Sequence, residues 1–120
     1  MKGNNEKYIF STRFREERRK AGKTLGDVAR HLEKSTSYIS DIERGNRMPL
    51  REDDIRKFAE LMGIEAEPLC VLAAESRGAF TLGTEGISPK ARRVGAALMR
   101  EWAELDDEKL SKIEALLEKD

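Results

Sequence analysis

TLGDVARHLEKSTSYISDIERGNRMP, residues 24–49, decides how this chain is read. Its apolar residues recur at helical rather than strand spacing. Thr24 is a good N-cap, and Asp27, three residues on, completes a capping box. Val28, Ala29 and Leu32 then form one buried face. Glu33-Lys34 makes a turn, Ser35 caps a second short helix, and Ile39 and Ile42 form that helix's inner face. Arg44-Gly45 ends it, because glycine accepts the left-handed backbone of a helix stop. Pro49 closes the cationic loop that follows. The stretch is therefore two short helices joined by a tight turn, then a basic loop.

That layout suits laying one helix in the major groove of duplex DNA and anchoring it on phosphates. Two closely crossing helices need a small residue at their contact, and Ala29 supplies it. With the inner face occupied, the second helix turns Thr36, Ser37, Ser40 and Asp41 outward as base-reading candidates. Thr36 and Ser37 sit at the helix N-terminus, where base edges are usually read. Asp41 repels phosphate but can accept from a cytosine amino group. Arg44, Asn46 and Arg47 suit phosphate contacts, with Lys23, Thr24 and Arg51 as weaker candidates. Backbone N–H groups at Thr24 and Ser35 are further candidate phosphate donors.

RRKAGKTLGDVA (residues 18–29), STSYISDIERG (35–45) and NRMP (46–49) together resemble the Cro/phage-repressor type (XRE) helix-turn-helix domain. The resemblance runs from Phe10 to about Leu69. It implies a five-helix fold in which the third helix is the reader. It also implies that Arg18 and Glu43 form a structural ion pair linking the first and third helices. Two positions depart from the family. Glu33 stands where a glycine is usual in the inter-helix turn, and a left-handed glutamate is strained by about 1 kcal/mol. Leu25 stands where many members carry a glutamine that touches the DNA backbone, so that contact is lost.

The rest of the chain fits an all-α fold. Apolar residues make up 38% of 120, enough for a modest helical core. Net charge is zero, but its distribution is uneven. Residues 1–50 carry 12 Lys and Arg against 7 Asp and Glu, a net +5. Residues 51–120 carry 11 against 16, a net −5, so the motif half is the half suited to nucleic acid. Polar Met1–Lys7 should fray. A first helix is expected over Ser11–Ala21, with Phe10, Phe14, Arg18 and Ala21 on one stripe. A fourth is expected over Arg51–Met62, with Ile55, Phe58, Ala59 and Met62 inward. A short fifth is expected over Glu67–Ala74.

The expected organisation is a DNA-binding domain over residues 1–76, a glycine-containing linker over 77–87, and a C-terminal helical hairpin over 88–120. Phe80-Thr81-Leu82 in the linker allows a short extended piece. Ser88-Pro89 is a strong helix start, Ser as N-cap and Pro at the first helical position. That helix should run to about Glu104, and Asp106 should cap the last one. Val94, Leu98, Trp102, Leu105, Leu110, Ile113 and Leu117 give the hairpin an apolar surface that needs a dimer or partner interface.

Other chemistries find little support. His31 has no second ligand at suitable spacing. Cys70 reads as a buried small apolar residue, with no cation adjacent in sequence to favour the thiolate. No phosphate loop or nucleophile–base set is visible. The expectation is therefore no enzyme, no cofactor and no metal. With neither an apolar leader nor a spanning stretch, a cytoplasmic protein off the membrane is expected. The leading functional expectation is a transcriptional repressor, acting as a homodimer on a pseudo-palindromic operator. The alternative is an antitoxin-like module that covers a protein partner and autoregulates through the same motif.

Overall fold

The computed structural model describes the backbone of residues 2–118 and side chains from residue 9 to residue 118. Among the described residues there are seven α-helices, one 3-10 turn and no strand. They are α1 (Lys2–Lys20), α2 (Leu25–Leu32), α3 (Thr36–Glu43), α4 (Glu52–Met62), α5 (Glu67–Arg77), α6 (Pro89–Glu101) and α7 (Asp107–Leu117). The chain divides into two compact units, Met1–Phe80 and Thr81–Asp120.

The first unit holds one core. Phe10 and Phe14 of α1 are fully buried, their ring centroids 5.7 Å apart. Phe14 also meets Phe58 of α4 at 4.3 Å, with the rings tilted by 38°. Val28, Ala29 and Leu32 of α2 join Ile39 and Ile42 of α3 in the same cluster. Leu50, Ile55, Leu69 and Ala73 complete it from the loop, α4 and α5. Helix α5 lies chiefly against α1, while α2 packs on both α3 and α4. Burying a Phe, Leu or Ile side chain is worth about 1.5–3 kcal/mol, so this cluster carries the unit.

Three boundaries differ from the sequence reading. Helix α1 begins at Lys2, not Ser11, because no proline interrupts it upstream. Ser11 is a buried residue inside the helix rather than its start. Where fraying is expected over Met1–Lys7, the backbone of residues 2–7 is helical, and Met1 lies outside the described residues. Helix α5 continues past Ala74 to Arg77, where Gly78 takes the left-handed cap at φ 74°. Phe80-Thr81-Leu82 is not a strand. After Glu101 the expected long helix tightens into the 3-10 turn Trp102–Glu104.

The second unit starts each helix cleanly. The Ser88 hydroxyl accepts from the Ala91 N–H at 3.3 Å, with Pro89 at the first helical position. The Asp106 carboxylate accepts from the Lys109 N–H at 2.9 Å. Neither α6 nor α7 contains a buried residue. Leu98, Leu105, Leu110 and Ile113 are half-buried, so the apolar stripes of this pair are only partly covered.

Candidate nucleic-acid interface

The turn between α2 and α3 sets the angle at which α3 is presented. Thr24 and Asp27 form a reciprocal cap: the Asp27 N–H donates to Thr24 Oγ1 at 3.0 Å, and the Thr24 N–H donates to the Asp27 carboxylate at 2.8 Å. Hydrogen bonding to the carboxylate, from the Thr24 N–H first and the Thr24 side chain second, holds the Asp27 carboxyl below the usual aspartate range. The Thr24 N–H, one of the backbone groups considered for phosphate, is thereby engaged by Asp27. At its other end α2 closes with two bonds, Lys34 N–H to Ala29 O at 2.8 Å and Glu33 N–H to Arg30 O at 3.2 Å. This is a Schellman stop with Glu33 in the glycine place, at φ 58° and ψ 44°. The turn takes the left-handed stop and carries its strain on a glutamate.

Ser35 then caps α3, its hydroxyl accepting from the Tyr38 N–H at 3.0 Å. Ile39, Ile42 and Glu43 face inward. Thr36 and Ser37 are exposed in the first turn, whereas Ser40 and Asp41 are half-buried. Helix α3 ends in a second Schellman stop, with Gly45 N–H to Ile42 O at 3.1 Å and Asn46 N–H to Asp41 O at 2.9 Å.

Glu43 fixes the helix from behind. Arg18 Nε donates to Glu43 Oε2 at 2.5 Å and Arg18 Nη2 donates to Oε1 at 3.0 Å. Arg18 Nη1 also donates to the Lys23 carbonyl at 2.9 Å, so one guanidinium ties α1, the loop before α2, and α3. The bond to Glu43 raises the Arg18 pKa against the opposing effect of burial. Both side chains are nearly out of water, 12% exposed for Arg18 and 6% for Glu43, so this is a buried pair rather than a surface one. Arg15 adds a third charge, 3.8 Å from Glu43.

The outer face is a charged network. Arg44 donates through Nη1 to the Ser40 hydroxyl and through Nη2 to Asp41 Oδ1, the latter at 2.6 Å. Arg47 Nε lies 3.6 Å from Asp41 Oδ2, and its guanidinium sits 4.7 Å from the Tyr38 ring centroid. Lys34 approaches the same ring at 5.6 Å. Asn46, Arg47 and Arg51 are exposed, as is Thr24, while Lys23 is half-buried. The loop that carries them is pinned from α5, where Arg77 donates to the Pro49 carbonyl at 3.0 Å and to the Leu50 carbonyl.

The side chains of Arg77, Tyr38 and Arg15 escaped the sequence reading. Arg77 hid behind an α5 ended too early; Gly78 as a helix cap was the signal that would have placed it. Glu17 was missed as well: it is 8% exposed and paired with Arg13 at 3.2 Å and Lys20 at 3.7 Å. His31 lines a shallow surface depression with Lys23, Asp27, Arg30 and Leu61. Among the described residues no three of His, Cys, Asp and Glu are grouped to hold a metal ion. Space brings Arg56 and Arg77 towards Cys70, yet burial outweighs them and pushes the thiol pKa up.

Of the seven apolar residues expected at a dimer or partner interface, none is buried within the chain. Val94, Trp102 and Leu117 are exposed, Trp102 by 58% and Leu117 by 80%. Leu98, Leu105, Leu110 and Ile113 are half-buried. No described helix is long and apolar enough to cross a membrane.

A family model described as a helix-turn-helix domain matches residues 9–69, which span α1 to the start of α5. No curated protein matches the chain. Among solved structures, the clp gene regulator ClgR from Corynebacterium glutamicum is similar with a TM-score of 0.50 and 20% sequence identity. The match covers 82% of this chain and 93% of that one, a likeness of fold.

Proposed function

Since this chain belongs to the helix-turn-helix domain family, and is thereby a DNA-binding protein of the transcriptional-regulator type, we propose that it is a sequence-specific repressor of the Cro/phage-repressor kind. It acts in the cytoplasm as a homodimer on a pseudo-palindromic operator and excludes polymerase from the promoter. The observation that carries this reading is the exposed outer face of α3, braced from behind by the buried Arg18–Glu43 pair and flanked by a cationic loop. The fold likeness to ClgR, described as a gene regulator, agrees with it.

In the complex, Thr36 and Ser37 reach base edges from the first turn of α3, and Ser40 and Asp41 belong to the same reading surface. Arg47, Asn46 and Arg51 contact phosphates, with Lys23 and Thr24 adding to that side. The unburied stripes of α6 and α7 pair with those of a second copy, which sets the half-sites about 10 bp apart. The same exposed stripe, Trp102 above all, also suits an antitoxin-like role in which a protein partner covers it.

Selection of bound fragments from a sheared genomic library, at near-physiological salt, tests the whole reading. A short inverted repeat is the expected product. Random sequence, or no enrichment, would reject autonomous operator binding and favour the partner-dependent alternative. Monomer mass in light scattering at tens of micromolar would reject the homodimer. Arg47→Ala should weaken binding to every sequence and lower the salt slope by about 1. Ser37→Ala should instead change the preferred base, and equal effects on random and operator DNA would refute that division of roles.

A further inference from the structure

We infer that Arg44 is itself a base reader, selecting a guanine, and that Ser40 and Asp41 are positioning residues that hold it in place. This deepens the operator-binding reading and rests on it. Ser40 and Asp41 lie on the outward face of α3, and their polar groups are already committed. Arg44 folds back along the helix, with Nη1 on the Ser40 hydroxyl and Nη2 on Asp41 Oδ1 at 2.6 Å. A guanidinium, not a carboxylate, is therefore what this part of α3 offers to a base edge.

The hydrogen-bond count supports the assignment. A guanidinium has five N–H donors in a fixed fork, and the two bonds to Ser40 and Asp41 use two of them. The remaining donors match the O6 and N7 acceptors that guanine presents in the major groove. Holding a long side chain ready also lowers the cost of ordering it on binding. Asp41 would otherwise repel phosphate, but Arg47, 3.6 Å away and over the Tyr38 ring, offsets the charge from its other side. The roles then divide: Arg44 reads and Arg47 anchors.

The test is selection from a random duplex pool, followed by titration of the selected duplex with 7-deazaguanine at each guanine in turn. That base lacks the N7 acceptor but still pairs with cytosine, whose amino group, the partner a direct Asp41 contact would need, stays in place. At one guanine in each half-site the replacement should weaken wild-type binding several-fold and leave Arg44→Ala unaffected. Arg44→Ala should lose that guanine preference, roughly 5- to 150-fold, whereas Arg44→Lys should only weaken it, because an ammonium can still reach O6 and N7 but cannot also hold the forked contacts to Ser40 and Asp41. Asp41→Asn should reduce the preference, and Arg47→Ala should keep it while binding all duplexes more weakly. If the wild type selects a sequence but no guanine is sensitive to loss of N7, the Arg44 assignment is wrong and operator binding stands. The assignment also fails if Arg44→Ala weakens all duplexes equally with an unchanged profile. A wild type that enriches no sequence overturns the operator-binding reading, and the assignment with it.

Discussion

The turn at Glu33 and the helix starts at Ser88 and Asp106 carry opposite relations between local sequence and burial. Glu33 is a poor residue for its place, left-handed at φ 58°, yet helices on both sides of it are held by buried Val28, Leu32, Ile39 and Ile42. Ser88 and Asp106 are good caps with their hydrogen bonds made, yet no residue of α6 or α7 is fully buried. Local signals decide where a helix begins; burial decides whether it holds. Helices of 13 and 11 residues are marginal in water by themselves. The first unit supplies its own burial, and the proposed dimer supplies it for the second.

The largest expected effect separates the two units directly. Phe14→Ala removes a fully buried ring from the shared core and should cost about 3–5 kcal/mol. Trp102→Ala should move the same urea transition, followed by circular dichroism, by less than about 0.5 kcal/mol. Equal shifts would show that the two units unfold as one and would erase the contrast. Next comes Glu43→Ala, which leaves Arg18 buried without its partner and should cost about 3 kcal/mol. A loss under about 0.5 kcal/mol would mean that the pair behaves as a solvated surface bridge.

Trp102→Ala should act elsewhere, on association. A tryptophan at the centre of an interface is a frequent hot spot, so dimer dissociation should be easier by about 2 kcal/mol. Sedimentation equilibrium across a dilution series reads this, and an unchanged dissociation constant would place the interface away from the 3-10 turn. At the start of α2, Thr24→Ala should cost about 1 kcal/mol. Asp27 adds a pH dependence of known sign. Its folded-state pKa lies below the unfolded value, so its stabilisation is present above about pH 4 and is lost as pH falls through the lower folded value. The stability gap between wild type and Asp27→Asn should therefore close on acidification, and a constant gap would deny the cap its charge.

Much of the first unit was legible because its signals are local and periodic. Phe10 with Phe14, Val28 with Leu32, and Ile39 with Ile42 follow from helical spacing alone. The caps at Thr24, Ser35, Ser88 and Asp106 follow from residue type just before an apolar run. What escaped depends on side chains that reach across the fold. Arg77 meets the Pro49 and Leu50 carbonyls from more than 25 residues away, and no periodicity reports that contact. Arg44 is different: its partners stand three and four residues earlier on one helix, a spacing the sequence displayed. Reading Asp41 as a groove-facing acid passed over that pairing. The end of α6 was misjudged because nothing in Trp102–Glu104 distinguishes a 3-10 turn from an α-helical one.

The smallest effect probes the first half of the contrast. Glu33→Gly relieves a left-handed residue of about 1 kcal/mol of strain, but glycine also gains freedom in the unfolded chain. The two terms oppose, so the net stabilisation should be a few tenths of a kcal/mol. Glu33→Ala keeps the Cβ penalty and should give no such gain. Double-mutant comparison makes the pair informative: in a Leu32→Ala background, where packing beside the turn is weakened, the benefit of Glu33→Gly should persist unchanged if strain and burial act independently. A larger benefit in that background would mean that packing had been holding the turn in shape, and that the first unit tolerates Glu33 only because its core is closed.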